Sequence, residues 1–486
     1  MRRYRLKISE ADYEEIQRLV FADLPKEAGA FLLAGCVRSG HTEDILVRRV
    51  VALPRAHFTL QHEHRLEISS QAVNGLIALC EANRIGAVMC HSHPDAIPYS
   101  PSDDYGERRI FDVLRLFIPD AAPTASLLLY PGGLDARVWL PGSAKPVPID
   151  EVLVIGRALR RVPLRGASRP LEFLAPGMYS RQVLAFGAEG QSAIASAKVA
   201  VVGLGGTGSA CTEQLARLGV RDLRLIEYDR LERSNITRVY GSVFKDVSPR
   251  LRWPWRKSPL KAEVVRRHLA RINPGAKISV VTAHVAEIGA ARQLLDRDLI
   301  FLCTDDHWGR SIVNQISYQY LIPAINLGVR IDTKDGEITG GSGGVDVLRP
   351  GLPCLWCKQF LSADRIAAEG MPVAERARWA REGYVEGIDT PAPSVISLNT
   401  TLAGLAVSAF LQLVTDFMGE QGCFSRLNYD VLNGTVARGV SQMKDPCVCG
   451  RFQGFGDLIA LPTVQSVVRN GRRTSANHAR TMKRRE

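Results

Sequence analysis

Two histidines lie two positions apart, His91 and His93 in the run HSHP, directly after an apolar stretch, IGAVMC, that reads as a β-strand. Side chains at i and i+2 of a strand leave on the same face, so both imidazoles can reach one ion. SPSDD offers a third ligand: Ser100 caps a helix that has Pro101 at its first position and Asp103 on its first turn. Two imidazoles and a carboxylate leave one coordination position open for water, as hydrolytic zinc requires. The expected base is Glu27 in PKEAGAFLLAG, because an acid that opens a buried strand is costly unless it faces a polar site. Taken singly, a solvated histidine pair and a salt-bridged surface glutamate are the plainer readings.

A second group of residues suits nucleotide chemistry. In AKVAVVGLGGTGSACTEQLARLGV a buried strand runs through Gly203, Gly205, Gly206 and Gly208 into a helix, so backbone amides and a helix N-terminus can cradle phosphates. The next strand, LRLIEYD, ends in Asp229, placed to grip a ribose. Up to this point a dinucleotide-dependent oxidoreductase competes. Downstream, DRLERSNITR adds Asn235 and Arg238, and SPLKAEVVRRHLARINP adds Lys261 at a helix start, cations that suit a triphosphate. Asp305 closes the strand DLIFLCTDD, where it could hold magnesium, and Arg310 and Asn314 follow it; Arg181 stands upstream in YSRQ. Cys354 and Cys357 in PCLWC, with Cys447 and Cys449 in DPCVCG, supply four thiolates for a closed structural zinc site, against the alternative of two unrelated reduced pairs.

ExGxxLLxG around Glu27, then HxHP, then SxxD, resembles the JAB/JAMM (MPN) metalloisopeptidase family over about residues 1–145. The resemblance implies that Glu27 is the general base, that His91, His93 and Asp103 bind zinc, and that Ser100 helps hold the tetrahedral oxyanion. Family members often carry one more residue between the second histidine and SxxD, a count that would select Asp104. The serine-to-aspartate spacing selects Asp103, since a loop loses a residue cheaply. Farther on, YSRQ, GxGGxG, DxxxxSNxxR, KAE and TDDxxxxR resemble the ThiF/MoeB and ubiquitin-activating superfamily over about residues 176–452. That resemblance implies a domain that binds ATP and magnesium and adenylates the C-terminal glycine of a ubiquitin-like or sulfur-carrier protein. Arg238 and Lys261 would steady phosphate charge, and Arg181 would reach the partner's site in a homodimer. The superfamily usually has CxxC in both cysteine pairs, so the CxC of Cys447 and Cys449 is a departure.

The elements that position these residues imply two α/β domains, as does a length of 486 residues. Residues 1–145 read as a mixed domain with helices over ADYEEIQRLVFADL and ISSQAVNGLIALCEAN and a strand over FLLAGCV. Pro-rich pieces over 146–175 read as a linker. Residues 176–455 alternate apolar strands with amphipathic helices, the pattern of a Rossmann-like doubly wound parallel sheet. Residues 456–486 read as a basic, disordered tail, which carries about half of the net charge of +12. A solvated terminal run, rather than a nucleic-acid or membrane contact, is expected of it.

No apolar h-region follows the N-terminus, and the greasy run Leu402–Met418 is broken by Gly404, Ser408, Gln412 and Asp416, so a buried helix and a cytoplasmic location are expected. The segment after Cys357, where relatives that form a thioester keep a cysteine, has none before residue 400. Transfer is therefore absent, uses a distant residue such as Cys423, or passes the adenylate directly to a sulfur donor. Cys36, Cys80, Cys90, Cys211 and Cys303 read as core. Trp253 and Trp255, in an Arg-rich insertion over 244–258, read either as a partner-docking loop or as a structural insertion. The expected function is a bifunctional enzyme of a bacterial-type ubiquitin-like pathway, trimming or deconjugating a small protein after its glycine and adenylating that terminus. A conjugating enzyme or a sulfurtransferase would act next. The alternatives are activation of a sulfur carrier and a non-catalytic scaffold.

Overall fold

The computed structural model describes residues 2–165, 177–248, 257–383, 392–469 and 472–473. Trp253 and Trp255 lie outside them, as does most of the basic terminus.

The chain begins with strand β1 (Arg3–Ser9) and helix α1 (Glu10–Val20), which Ser9 caps by accepting from the Asp12 amide. A long hairpin follows, β2 (Gly29–Ser39) with β3 (Thr42–Ala52), then a small one, β4 (Phe58–Gln61) with β5 (Leu66–Ile68). Next come α2 (Ser70–Asn83), β6 (Gly86–Ser92), α3 (Pro101–Leu114), β7 (Thr124–Tyr130) and β8 (Gly133–Val138). Three short strands close the unit: β9 (Val147–Pro148), β10 (Glu151–Ile155) and β11 (Leu159–Val162). The sheet order is β11-β10-β1-β3-β2-β6-β7-β8-β9. Alternation along β2 explains the layers: Leu32 and Ala34 share a core with Tyr13, Ile16 and Val20 of α1, whereas Phe31 and Leu33 pack with Leu76 of α2 and Phe111 of α3.

Residues 147–162, read from sequence as linker, belong to this sheet. EVLVI lies parallel to β1, with Leu6 opposite Val152, and two of the prolines that suggested a connector, Pro148 and Pro163, stand in an edge strand and just after one.

The second unit starts with α4 (Ser180–Ser196), β12 (Lys198–Val202), α5 (Gly206–Leu218), β13 (Asp222–Ile226) and α6 (Lys261–Ile272). It continues through β14 (Lys277–Val281), α7 (Ile288–Arg292), β15 (Leu299–Leu302) and α8 (His307–Gln319). After β16 (Ala324–Lys334) and β17 (Glu337–Leu348) come α9 (Ala363–Glu369), α10 (Val373–Arg381) and α11 (Ile396–Thr415), then β18 (Arg426–Asp430), β19 (Thr435–Gly439) and α12 (Val448–Arg451). The order β14-β13-β12-β15-β16-β17-β18-β19 is parallel through β16 and antiparallel beyond. Strand order reverses between β12 and β15, the crevice where open α/β sheets bind ligands. Among the described residues α11 is long and apolar enough to cross a membrane, but it packs against α5 and β16, with Leu402, Ala406 and Phe410 in the core.

The two units share a core in which Val37, Leu46 and Ile155 pack with Ile226, Leu294 and Ile316. A buried ionic cluster reinforces the seam: Arg5 and Lys7 meet Asp44 at 2.6 and 2.9 Å, and Arg161 meets Asp298 at 3.0 Å. Residues 452–464, part of which was expected to be disordered, form a strap across it. Strand β6 pairs with β2 only as far as Ala34, and the strap takes the edge left open beyond. The Gly35 amide donates to Gly454 at 3.1 Å and the Asp457 amide to Cys36 at 2.7 Å, while Gln319 Nε2 donates to the carbonyls of Gly456 and Ile459.

Candidate functional site

His91 is paired opposite Gly29 in the sheet, and His93 follows one residue beyond the end of β6. Ser92 between them is fully buried; its hydroxyl donates to Val20 O at 2.7 Å and accepts from the Ala28 amide at 3.1 Å. That serine, which sequence reasoning passed over, ties the segment carrying Glu27 to the strand end carrying both histidines. The imidazole Nε2 atoms are 3.2 Å apart, and Asp103 lies 3.6 Å from His91 Nε2 and 3.7 Å from His93 Nε2. Glu27 Oε1 is 3.5 Å from His93 Nε2.

The cap on α3 forms as the spacing predicts. Ser100 Oγ accepts from the Asp103 amide and donates to Asp103 Oδ2, and the Ser100 amide donates to the same oxygen at 2.7 Å. Asp104 turns the other way into an ion pair with Arg137, which leaves Asp103 as the carboxylate facing the histidines. His93 Nδ1 is 2.8 Å from the carbonyl of Ile97, which can only accept, so that nitrogen carries a proton and Nε2 is the one that faces the cluster as a candidate ligand atom. Donor atoms of His91, His93 and Asp103 all lie within 4.8 Å of one another, a set that fits one zinc ion. Burial and the Asp103 carboxylate push Glu27 up to about 8. A cavity of about 620 Å³ opens onto His91 and Asp103, between the β4–β5 hairpin and helices α2 and α3.

At the other site, β12 delivers Gly203 in a left-handed conformation (φ 86°), and α5 begins at Gly206. A Cβ on Gly208 would stand 1.9 Å from the Gly203 carbonyl oxygen, so the tight turn onto the helix requires glycine there. Gly205, by contrast, faces open space. Arg238 reaches over this start: its Cδ lies 3.5 Å from a Cβ built on Gly206, and its guanidinium donates to Ser234 O at 2.7 Å. Asp229 and Lys261 pair at 3.0 Å, and the Lys261 amide donates to Asp229 O at 2.9 Å, joining the segment that follows β13 to the start of α6. Asn235 is buried and accepts from the Glu232 amide at 3.1 Å.

Of the two acids after β15, Asp306 caps α8 and sits 3.4 Å from His284 Nε2, whereas Asp305 projects exposed at the strand end. Glu227, unremarked in the sequence, is spent on structure: it accepts from the amides of Leu204, Tyr228 and Asp229 and so shapes the turn from beneath. Arg310 is buried below the Asp305 carbonyl, and Asn314 accepts from the Leu355 amide. Arg181, exposed on the first turn of α4, is not among the side chains that one chain gathers at this turn.

A model described as the ThiF family matches residues 179–449. The chain belongs to the ThiF family. The molybdopterin-synthase adenylyltransferase of Salmonella typhimurium is 33% identical over 181 residues, which are 37% of this chain and 66% of that protein. The sulfur carrier protein ThiS adenylyltransferase of Bacillus subtilis is 28% identical over 184 residues, 37% of this chain and 50% of that one. The chain thus spans two thirds or less of these curated relatives. A solved structure of E. coli MccB with ATP is similar at 18% identity and a TM-score of 0.44, over 57% of this chain and 75% of that one. The N-terminal sheet lies outside the matched residues.

Within the ThiF-type domain, the four thiols of Cys354, Cys357, Cys447 and Cys449 come together, with sulfur separations of 3.3 to 3.7 Å among neighbours. Four thiolates around zinc at about 2.3 Å would stand about 3.8 Å apart, so the set fits, and the short CxC works because Cys447 is the cap of α12 and Cys449 lies within it. Cys423 is elsewhere. It accepts from Arg349 at 3.2 Å and lies with Gln412 near the C-terminal end of α11, whereas Asn399 near the other end touches Gly206. Thirteen residues of helix separate those contacts by about 20 Å, so the fold does not bring Cys423 to the glycine turn.

Proposed function

We propose that the ThiF-type domain adenylates the C-terminal carboxylate of a small ubiquitin-like or sulfur-carrier protein ending in glycine. We propose further that the N-terminal domain hydrolyses the peptide or isopeptide bond after that glycine. The observation that carries the first half is family membership together with a glycine turn flanked by Arg238, Asp229 and Lys261. In the reaction the terminal carboxylate oxygen bonds to the α-phosphorus of ATP, the bond from that phosphorus to the bridging oxygen breaks, and pyrophosphate leaves. Asp229 binds the ribose, the turn amides and α5 hold phosphate oxygens, Arg238 and Lys261 offset their charge, and Asp305 ligates magnesium. Arg181 of one protomer serves the other's site in a homodimer.

For hydrolysis, His91, His93 and Asp103 hold zinc, which supplies Lewis acidity and an acidified water when bound. Glu27, buried beside His93, in its ionised form accepts the water's proton and returns it to the leaving amine, and Ser100 donates to the oxyanion once its hydroxyl turns from Asp103 Oδ2. The four-cysteine zinc is structural. After adenylation the position of Cys423 favours direct hand-over to a sulfur donor, and hence the sulfur-carrier reading, over a thioester on this chain. Exchange of labelled pyrophosphate into ATP on adding a Gly-terminated ubiquitin-like or sulfur-carrier protein tests adenylation. An absence of exchange with every such protein would overturn it.

A further inference from the structure

Arg137, on β8, lies behind the His91–His93–Asp103 cluster and has no part in the chemistry above. It is 7% exposed and grips α3 at two successive turns. One arm pairs with Asp104, while Nε donates to Glu107 Oε2 at 3.0 Å and the other arm lies 2.9 Å from that oxygen. The same oxygen accepts from Ser126 Oγ and Trp139 Nε1, both at 2.7 Å, which locks Glu107 against β7 and the end of β8. The Arg137 guanidinium also stacks 3.6 Å over the Tyr99 ring, whose edge meets the His91 ring at a centroid distance of 5.9 Å. The neighbours of Arg137 therefore flank the metal ligands: Asp104 follows Asp103, and Tyr99 packs on His91.

Stability alone does not explain this arrangement. A buried ion pair can be exchanged for apolar packing with little loss, whereas a planar fork with several fixed donors sets geometry. Side chains behind metal ligands orient them, and their loss typically weakens binding.

We propose that Arg137 is a positioning residue for the zinc-ligand set, holding the first turn of α3 and the Tyr99 ring so that Asp103 and His91 converge on one ion. The proposal rests on the zinc reading of that cluster. It is tested in the full chain by competing zinc away with a chromophoric chelator and by recording the visible spectrum of the cobalt-substituted site, for the unaltered chain, Arg137→Met, Arg137→Lys and Asp104→Asn. Arg137→Met is expected to weaken zinc at this site roughly 10- to 100-fold and to shift the cobalt bands. Arg137→Lys, which keeps the charge but not the fork, should fall between, and Asp104→Asn should show a smaller loss. All should retain the four-cysteine zinc, which reports that the chain is folded. Unchanged affinity and spectrum in Arg137→Met overturn the proposal; if that variant does not fold, unchanged values in both milder variants do so. A chain that holds zinc only at the four cysteines would instead sink the zinc reading, and the proposal with it.

Discussion

Glu27 and Lys261 carry the most direct residue-scale consequences. Glu27→Gln keeps the shape of a side chain 4% exposed but removes its capacity to take a proton, so hydrolysis of a Gly-extended substrate should fall roughly 100- to 10,000-fold while zinc content stays unchanged. Lys261→Ala removes the cation beside Asp229, and pyrophosphate exchange should fall roughly 100- to 1,000-fold without a change in hydrolysis. Much at this scale was legible because the spacings carry geometry: i and i+2 on a strand bring His91 and His93 together, and SxxD places Ser100 and Asp103 on one helix turn. Ser92, Glu227 and Arg137 were not legible. Ala28, Leu204 and Glu107, which they bond, lie 64, 23 and 30 positions away, and no local pattern marks a serine, an acid or an arginine whose bonds reach a distant element.

At the level of elements, the glycine turn and the helix cap do the positioning. Gly208→Ala would drive a methyl group into the Gly203 carbonyl, so the turn must open, and the rise in Tm that ATP gives the unaltered chain should disappear in the variant. A thermal melt with and without ATP reads this directly. The strand–helix alternation of the ThiF-type domain was plain in the sequence because each parallel strand is a short apolar run followed by an amphipathic helix. The strands over 147–162 escaped notice because they are short and bounded by prolines, features that equally describe a connector.

For the whole molecule, the decisive feature is that the two units share one core, one ionic seam and one strap. Burial raises the Asp298 carboxyl, but the Arg161 and Arg5 guanidiniums outweigh it and hold the group at about 2. A depressed folded value means that this contribution is complete above about pH 4 and is lost as pH falls through about 2. Asp298→Asn should therefore cost about 2 kcal/mol at neutral pH and flatten the acid-unfolding curve below pH 4, followed by circular dichroism. The shared seam was invisible in a sequence that separates Arg5 from Asp298 by nearly 300 positions. Under the proposed function this seam would hold two chemistries in one chain, with one terminus first exposed and then activated. The most direct measurement is pyrophosphate exchange driven by a carrier precursor that extends beyond its glycine, comparing the unaltered chain with Glu27→Gln. The unaltered chain should exchange after a lag, and the variant should exchange only when the mature, Gly-terminated carrier is supplied. Equal exchange with the precursor in both, or none in either with the mature carrier, would contradict the account.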